Sequence, residues 1–418
     1  MTTKKNIIIS LDVGTSKVCC VVGENNKKVV EIKNVSTKKI NFNSNIEEHD
    51  FEIKKAISES YREATLGVDL NHCHLVVSLS GSHIISKNII LNVPKSNNER
   101  SLITQIDIDK SIEIAQKISL DDDQKIIHVI PRTYTLDGIE GIRNPLGMHT
   151  YDLKAYSHVI LGSITEITKL NKYLDVIGMK PNKYIVGSLA SGRSLLSSNE
   201  RESGGILIDI GGGTTDIAVF HKGTIIHTDS IHIGGNTFTN DISVAFDIDF
   251  NEAEKVKISD GSVTPERINN TKKIKIFPRA YDEELEITGR ELAQLLKDRA
   301  SELIRMIGYR LDNENVSNLD INQIILTGGG SKLDGFFQLT RFLLQKRVRN
   351  IDESFENNLE GEELDQSTSC AVSVAKLSVD ENLTNLEFNN KKIDIFNNNL
   401  YVKNFISLKN LFLKLLKK

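Results

Sequence analysis

Residues 208–220 read IDIGGGTTDIAVF, and residues 11–17 read LDVGTSK. Both stretches place an aspartate at the end of a short apolar run, then glycine, then hydroxyl side chains. The runs ILI before Asp209 and IIISL before Asp12 predict strands that end in a turn. A phosphate binds well where backbone N–H groups converge with no side chain in the way. Glycine permits that close approach, and Thr and Ser add hydroxyl donors. A carboxylate cannot bind phosphate directly, but it can hold Mg²⁺ through water, and Mg²⁺ takes one or two carboxylates plus phosphate oxygens. Asp12 and Asp209 are therefore candidates for a metal role. Gly14, Thr15, Ser16 and Lys17 are candidates for phosphate contact, as are Gly211, Gly212, Gly213, Thr214 and Thr215. Facing each other across a cleft, the two turns would clamp a nucleotide's phosphates from both sides. One such turn alone is no more than a loop signal. Two in matching context, with a third strand-glycine-helix segment at 326–330, make a pattern. No GxxxxGK[ST] motif is present, and GGGTTD is not GxGxxG.

The chain has 418 residues and is 39% hydrophobic, enough at about 150 residues per domain for two or three domains, each with its own core. A net charge of −4 leaves no overall electrostatic footprint for nucleic acid. The lean to Ile, Asn and Lys reads as the coding bias of an AT-rich genome. Cys19, Cys20, Cys73 and Cys370 form no CxxC pair, which argues against a disulfide framework or zinc knuckle and fits a reducing cytosol. The run Ile7 to Ile9 is too short for a signal peptide, and no stretch approaches the roughly 18 apolar residues of a membrane span. These features predict a cytoplasmic protein.

Along the chain, residues 6–32 predict two or three strands, and Phe51, Ile53, Ala56, Ile57, Tyr61 and Ala64 stand near helical spacing over 51–66. LVVSLSG (75–81) predicts a strand, and SHIISKNIILNV (82–93) alternates like a strand pair. Helices are expected at 105–118 and at 163–178, the latter closed by Gly178, with HVIPRTYTL and GIRNPLGM (128–148) as strand and turn between them. YIVGSLASG (184–192) runs from strand into helix. GGILIDIGGG, IAVFHKG and TIIHTDSIHI then predict three more strands, followed by helices at 236–258 and 286–308. IILTGGGSKLDG (324–335) reads as strand, glycine turn and helix start. The strand-rich units at 6–66 and 204–246 make a weak internal repeat. The predicted class is α/β, with two related halves around a cleft.

Residues 380–399 are polar and Asn-rich and read as a flexible linker. The remainder, LYVKNFISLKNLFLKLLKK (400–418), places Tyr401, Phe405, Leu408, Phe412, Leu415 and Leu416 on one helical face, with Ile406 and Leu411 beside it. Lys403, Ser407, Asn410, Lys414, Lys417 and Lys418 fall on the other. This stretch holds five lysines and no acid, leaving 47 basic against 56 acidic residues elsewhere. A basic helix with aromatic and leucine anchors is the pattern of an interfacial membrane helix, and each lysine near an anionic surface contributes about 1 kcal/mol. The polar linker favours that reading over a helix docked on the body.

Three weaker signals have plainer readings. His72-Cys73-His74 has no second ligand pair and reads as the turn before a strand. Asp121 to Asp123 read as a solvated loop. Helix 286–308 mixes Arg290, Lys297, Asp298, Arg299 and Glu302 with Leu292, Leu295, Leu296 and Leu303, as a surface helix does when it packs one face.

These motifs resemble those of the actin and sugar-kinase superfamily. LDVGTSK resembles its first phosphate loop, IDIGGGTTDIAVF its second, and IILTGGGSKLDG its adenosine motif. IHIGGN (231–236) resembles the segment that also touches the phosphates, which implicates Gly234, Gly235 and Asn236. NEAEKVK (251–257) resembles the helix that reaches the ribose, which implicates Glu254 and Lys257. The adenosine motif implicates Gly328, Gly329, Gly330 and Ser331. Within the superfamily, LSGSHI, HVIPRTY, GIRNPLGM, GSLASG and the tail resemble the bacterial FtsA family.

The resemblance implies an actin-like fold that binds ATP and Mg²⁺. It implies subdomains 1A (1–80 and 166–200), 1C (81–165), 2A (201–245 and 322–379) and 2B (246–321), a linker at 380–399 and a membrane-targeting amphipathic helix at 400–418. It also implies a cell division role at the septum: self-assembly into filaments, attachment to the anionic inner face of the cytoplasmic membrane, FtsZ bound through 2B and later division proteins through 1C. In chaperone and cell-shape relatives a glutamate opens the strand-to-helix segment matched here by Gly187 and Ser188, so the resemblance implies slow or negligible ATP hydrolysis and no assigned catalytic residue. The competing expectations are a small-molecule kinase of the same superfamily and an actin-like assembly protein of a pilus or secretion system.

Overall fold

The computed structural model describes residues 6–26, 29–41, 45–95, 100–279, 284–313, 316–351 and 366–380. The chain divides into two units, Met1–Thr384 and Asn385–Lys418, and every described residue belongs to the first. The expected linker lies outside the described residues from 381 onward, and the expected membrane helix at 400–418 lies outside them entirely.

The first half begins with β1 (Asn6–Val13), β2 (Lys17–Asn26) and β3 (Val29–Lys39), followed by α1 (Ile46–Ala64) and β4 (Cys73–Leu79). Asn45 caps α1 by accepting the Glu47 and Glu48 N–H groups at 3.0 and 3.4 Å, so the helix starts earlier than its apolar spacing suggests. A separate sheet then interrupts the half. It comprises β5 (Ile85–Asn92), β6 (Ser101–Leu102), α2 (Gln105–Ala115), β7 (Gln124–Leu136), β8 (Ile139–Ile142), β9 (His149–Thr150) and β10 (Leu153–Ser163). Its main strands run in the order β5-β10-β7-β8, over a small core of Val93, Ile103, Tyr134, Leu136, Leu153 and Ala155. Residues 82–84 turn after Gly81 instead of extending, so 82–93 yields one strand where alternation suggested two. The chain returns through α3 (Ile164–Leu174), β11 (Lys183–Val186), α4 (Gly187–Leu195) and α5 (Ser198–Ser203). Asp123 belongs to that return: it accepts hydrogen bonds from Ser163 Oγ, Thr165 N and Thr165 Oγ1 at 2.6–2.9 Å, and so fastens the start of α3.

The second half repeats the first. It contains β12 (Gly205–Ile210), β13 (Thr215–His221), β14 (Thr224–Ile231), α6 (Gly235–Ala245) and α7 (Phe250–Asp260). These are followed by β15 (Lys273–Ile276), β16 (Leu285–Thr288), α8 (Gly289–Asn313), β17 (Gln323–Thr327), α9 (Phe336–Leu344), β18 (Arg347–Arg349) and α10 (Ser369–Leu377). The first sheet is ordered β11-β4-β1-β2-β3 and the second β18-β17-β12-β13-β14. In each, the leading strand is antiparallel to the next strand in sequence and parallel to a strand reached by a long crossover. The weak internal repeat is thus a repeat of topology, the two-halved actin-like architecture. Residues 236–258 form two helices, because the backbone turns at Asp247 with φ +49°. Glu286 to Thr288 belong to a strand, not to the helix that follows.

Central strands β1 and β12 are buried on both faces, which is why they read as continuous apolar runs. The second half's core gathers Ile206, Ile208, Val219, Leu292, Leu296 and Leu303, so α8 packs one face inward as its pattern predicts. His72 turns at φ +67° immediately before β4, and among the described residues no three His, Cys, Asp or Glu side chains form a group able to hold a metal ion. Nor, among them, is any helix long and apolar enough to cross a membrane.

α4 packs against α10 and against the second sheet. A Cβ on its Gly192 would sit 2.3 Å from Phe220 Cε2, in a ring that is 1% exposed. Gly192→Ala gains about 1 kcal/mol of helix propensity but overpacks a closed site at about 1–3 kcal/mol. We expect a net loss of stability in urea unfolding, reversed when Phe220→Leu is added; a more stable single variant would contradict this packing.

Candidate functional site: two facing hairpins

The hairpin between β1 and β2 and the hairpin between β12 and β13 are built alike. Gly14 N–H donates to Lys17 O at 2.9 Å, and Gly211 N–H donates to Thr214 O at 2.9 Å. The loops also meet. A Cβ on Gly212 would fall 2.7 Å from Ser16 Oγ, and one on Gly213 would fall 2.5 Å from Thr15 Oγ1. Only glycine lets the second loop come this close to the first.

Three carboxylates gather at the strand ends below the loops. Register places Asp209 opposite Asp216. Burial, then the neighbouring Asp216 and Asp12, push Asp209 up to about 7, with Lys17 opposing. Burial also raises Asp216 to about 6, against hydrogen bonds from Ser230 and the Gly81 backbone N–H. Asp12 is raised by burial, while Ser78, Lys17 and Cys370 favour its charged form. Carboxylates so placed need a proton or a cation to share. The three do not form a group able to hold a metal ion by direct ligation, so their all-oxygen chemistry fits a hard divalent ion only where water stands between.

The other residues singled out in sequence surround this centre. Lys17 Nζ donates to the Ser367 carbonyl, just before α10. The N-terminal amides of α6 hold the second loop: Gly235 N–H donates to Gly211 O at 2.9 Å and Asn236 N–H to Gly212 O at 2.7 Å. Gly234 lies so near that a Cβ there would be 2.6 Å from Gly212 O. Thr215 Oγ1 donates to Ile233 O at 2.8 Å and ties the same segment down. Lys257 Nζ meets Glu254 Oε2 at 2.6 Å, Gly235 O at 2.9 Å and Thr239 Oγ1 at 2.7 Å, so the Glu254–Lys257 pair braces the base of α6. Burial lowers the Lys257 pKa, with Glu254 opposing.

The 328–331 turn passes directly over Asp209. Gly328 has φ +82°, and a Cβ on it would be 2.3 Å from Asp209 Oδ1. Ser331 Oγ donates to Gln366 Oε1 and to Gly328 O, both at 2.7 Å. Beside the turn is a cavity of about 390 Å³ lined in part by Ser331, Asp334, Gly335, Phe337, Asn350 and Gln366. Gly329 has open space on its Cβ side. At the position where relatives were expected to carry a glutamate, Gly187 opens α4. A Cβ there would be 2.4 Å from Ser80 Oγ and 2.8 Å from Cys370 Sγ, which leaves no room for a longer side chain.

Comparison with known proteins agrees with this geometry. Residues 206–375 match the family described as cell division protein FtsA, and residues 81–161 match the SHS2 domain inserted in FtsA. The FtsA of Pseudomonas aeruginosa is 32% identical over 349 residues, covering 82% of each chain. The chain belongs to the FtsA family. The FtsA of Borreliella burgdorferi is 31% identical over 379 residues, 88% of this chain and 90% of that one. Among solved structures, the PilM-PilN type IV pilus biogenesis complex superposes with a TM-score of 0.62 at 17% identity, over 89% of this chain and 98% of the other, a likeness of fold.

Sequence reasoning missed Asp216, Gln366, Ser367 and Cys370 in this FtsA-family site. Asp216 was legible: it follows the glycine and threonine turn of the quoted motif, and a hairpin after Asp209 must bring it opposite. The other three arrive from the far end of the chain, with no local signal.

Asp209 has a proton affinity in the folded chain well above its ordinary 3.8, so the folded state gains stability below that value and loses it as pH rises to about 7. Asp209→Asn removes the loss. Without divalent cation or nucleotide, calorimetry at pH 8 should give a higher Tm for the variant than for wild type, with the gap narrowing towards pH 5. A lower Tm at pH 8 would contradict the buried carboxylate centre.

Proposed function

We propose that this chain binds ATP between the two hairpins, assembles with copies of itself, and tethers FtsZ filaments to the inner face of the cytoplasmic membrane at the division septum. In this reading Asp12 and Asp209 hold Mg²⁺ through water. Gly14 to Lys17 and Gly211 to Thr215 supply phosphate donors, with Gly234, Gly235 and Asn236 supporting the second loop. Glu254 and Lys257 face the ribose, and Gly328 to Ser331 face the adenosine. FtsZ is received by residues 246–321 and later division proteins by residues 81–165; residues 400–418 provide the membrane anchor.

The observation that supports the reading most directly is the pair of same-order sheets whose carboxylate-ended hairpins touch. Family membership supports the division role. The start of α4 supports slow hydrolysis. Phosphoryl transfer to water needs an oriented nucleophile as well as a clamp, and Gly187 leaves no carboxylate at that place. The nucleotide then acts mainly as a ligand that favours one arrangement of the two halves. The lack of that carboxylate also speaks against a small-molecule kinase, which needs a base facing its acceptor.

The tether is tested by flotation with anionic liposomes and MgATP, comparing the full chain with one ending at residue 399. The full chain should float, with protein arrays visible on the lipid, and the shorter chain should stay behind. Equal behaviour of the two would contradict the tether. ATP turnover of the full chain should fall below the roughly 1 s⁻¹ at which ordinary enzymes begin.

A further inference from the structure

The inserted sheet belongs by sequence to the first half, since it lies between β4 and α3. His128 of β7 accepts from Val186 N–H in the first half, but the edge strand β5 bonds to the second half. β5 and β14 do not pair as strands, yet side chains stitch their edges together. Ser86 Oγ donates to Thr228 O at 2.8 Å and accepts from Thr228 N–H at 3.2 Å. Asn88 Nδ2 donates to Ile226 O at 2.9 Å. His158 is fully buried, with one ring nitrogen 2.9 Å from Asn88 Oδ1 and the other 2.9 Å from Thr228 Oγ1. Arg143 adds an exposed fork to Glu202 of α5, with one contact at 2.9 Å, which contributes little by itself. A buried polar network of this kind holds one relative position of the two edges.

The same strand leads to the carboxylate centre. Ser230, two residues past Thr228 on β14, donates through Oγ to Asp216 Oδ1. The backbone N–H of Gly81, at the entry to the insert, lies near enough to Asp216 to favour its charged form. Gly81 has φ +119°, a backbone open essentially to glycine alone, so the entry is fixed in a conformation that aims this N–H at the other half. One carboxylate thus joins the cleft, the insert's entry and the strand on which the insert is latched.

We propose that the Ser86–Asn88–His158–Thr228 seam, joined to the cleft through Ser230, Asp216 and Gly81, couples occupancy of the two hairpins to the position of the inserted domain. This rests on the nucleotide reading of the site. A ligand that bridges both hairpins holds the halves together, and with them the contact between Asp216 and Gly81. The seam tightens in consequence. Because coupling is reciprocal, loosening the seam weakens the ligand.

The test uses the full chain and MgATP. Binding is measured by titration, and amide exchange at Gly81, Ser86 to Asn92 and Thr228 is followed with and without the nucleotide. In wild type, saturating MgATP should slow exchange at these amides by about fivefold or more, the lower end of ordinary coupling. In Ser230→Ala the nucleotide-dependent slowing should be largely lost. In S86A/N88A, exchange at Thr228 should rise, and the MgATP dissociation constant should rise by up to the factor by which MgATP slows exchange in wild type, although neither residue touches the cleft. Binding with unchanged exchange in wild type overturns the coupling alone, as does unchanged affinity in a folded S86A/N88A chain. No binding of MgATP by wild type overturns the nucleotide reading and the coupling with it.

Discussion

The arrangement depends on a close approach between two backbone loops. Thr15 and Ser16 of the first hairpin press against Gly212 and Gly213 of the second, within distances that no Cβ would tolerate. That contact brings the strand-end carboxylates of both halves into one buried region. Burial is the main force raising the proton affinity of Asp12, Asp209 and Asp216, and neighbouring carboxylates add to it at Asp209 and Asp216. A fold that places three like charges so near loses stability when no cation is present, and such cost is usual where binding demands it. The glycines and the aspartates are thus one device: the first permit the approach, and in the function proposed above the second select a cation-bearing ligand.

Much of the surrounding structure holds this device in place. The α6 amides, which the superfamily resemblance assigned to phosphate, donate to the carbonyls of Gly211 and Gly212 and fix the second loop. The Glu254–Lys257 pair braces the start of α6 from behind. Gly328 crosses above Asp209, and Gln366 secures that crossing through its carbonyl and side chain. Lys17 reaches Ser367 at the entrance to α10, so the first hairpin is anchored to a segment about 350 residues later. The α6 contacts stay within the second half, whereas the Lys17–Ser367 contact spans most of the chain.

What the sequence made legible follows from range. Both hairpins could be read because strand, glycine turn and returning strand are local, and the repeated strand-rich units disclosed two halves. Gly178 closed its helix with φ +66° as its position suggested. The failures arose where tertiary contacts decide. Asp247 breaks one apparent helix in two, and residues 82–84 turn because Gly81 redirects the chain towards the insert. Asp123 is the solvated loop acid that its run suggested, and its added role in fastening α3 had no local signal. Alternation in β5 revealed a strand, but no periodicity could show that its edge meets β14 through Ser86, Asn88 and His158.

In the function proposed above, the facing hairpins form one cation-dependent nucleotide site. Isothermal titration of the full chain with ATP, in Mg²⁺ and again in excess EDTA, tests it most directly. One ATP should bind per chain in Mg²⁺, with an affinity weaker by about tenfold or more in EDTA, since the buried carboxylates then face phosphate with no ion between them. Absence of binding in Mg²⁺, or equal affinity in both buffers, would contradict it.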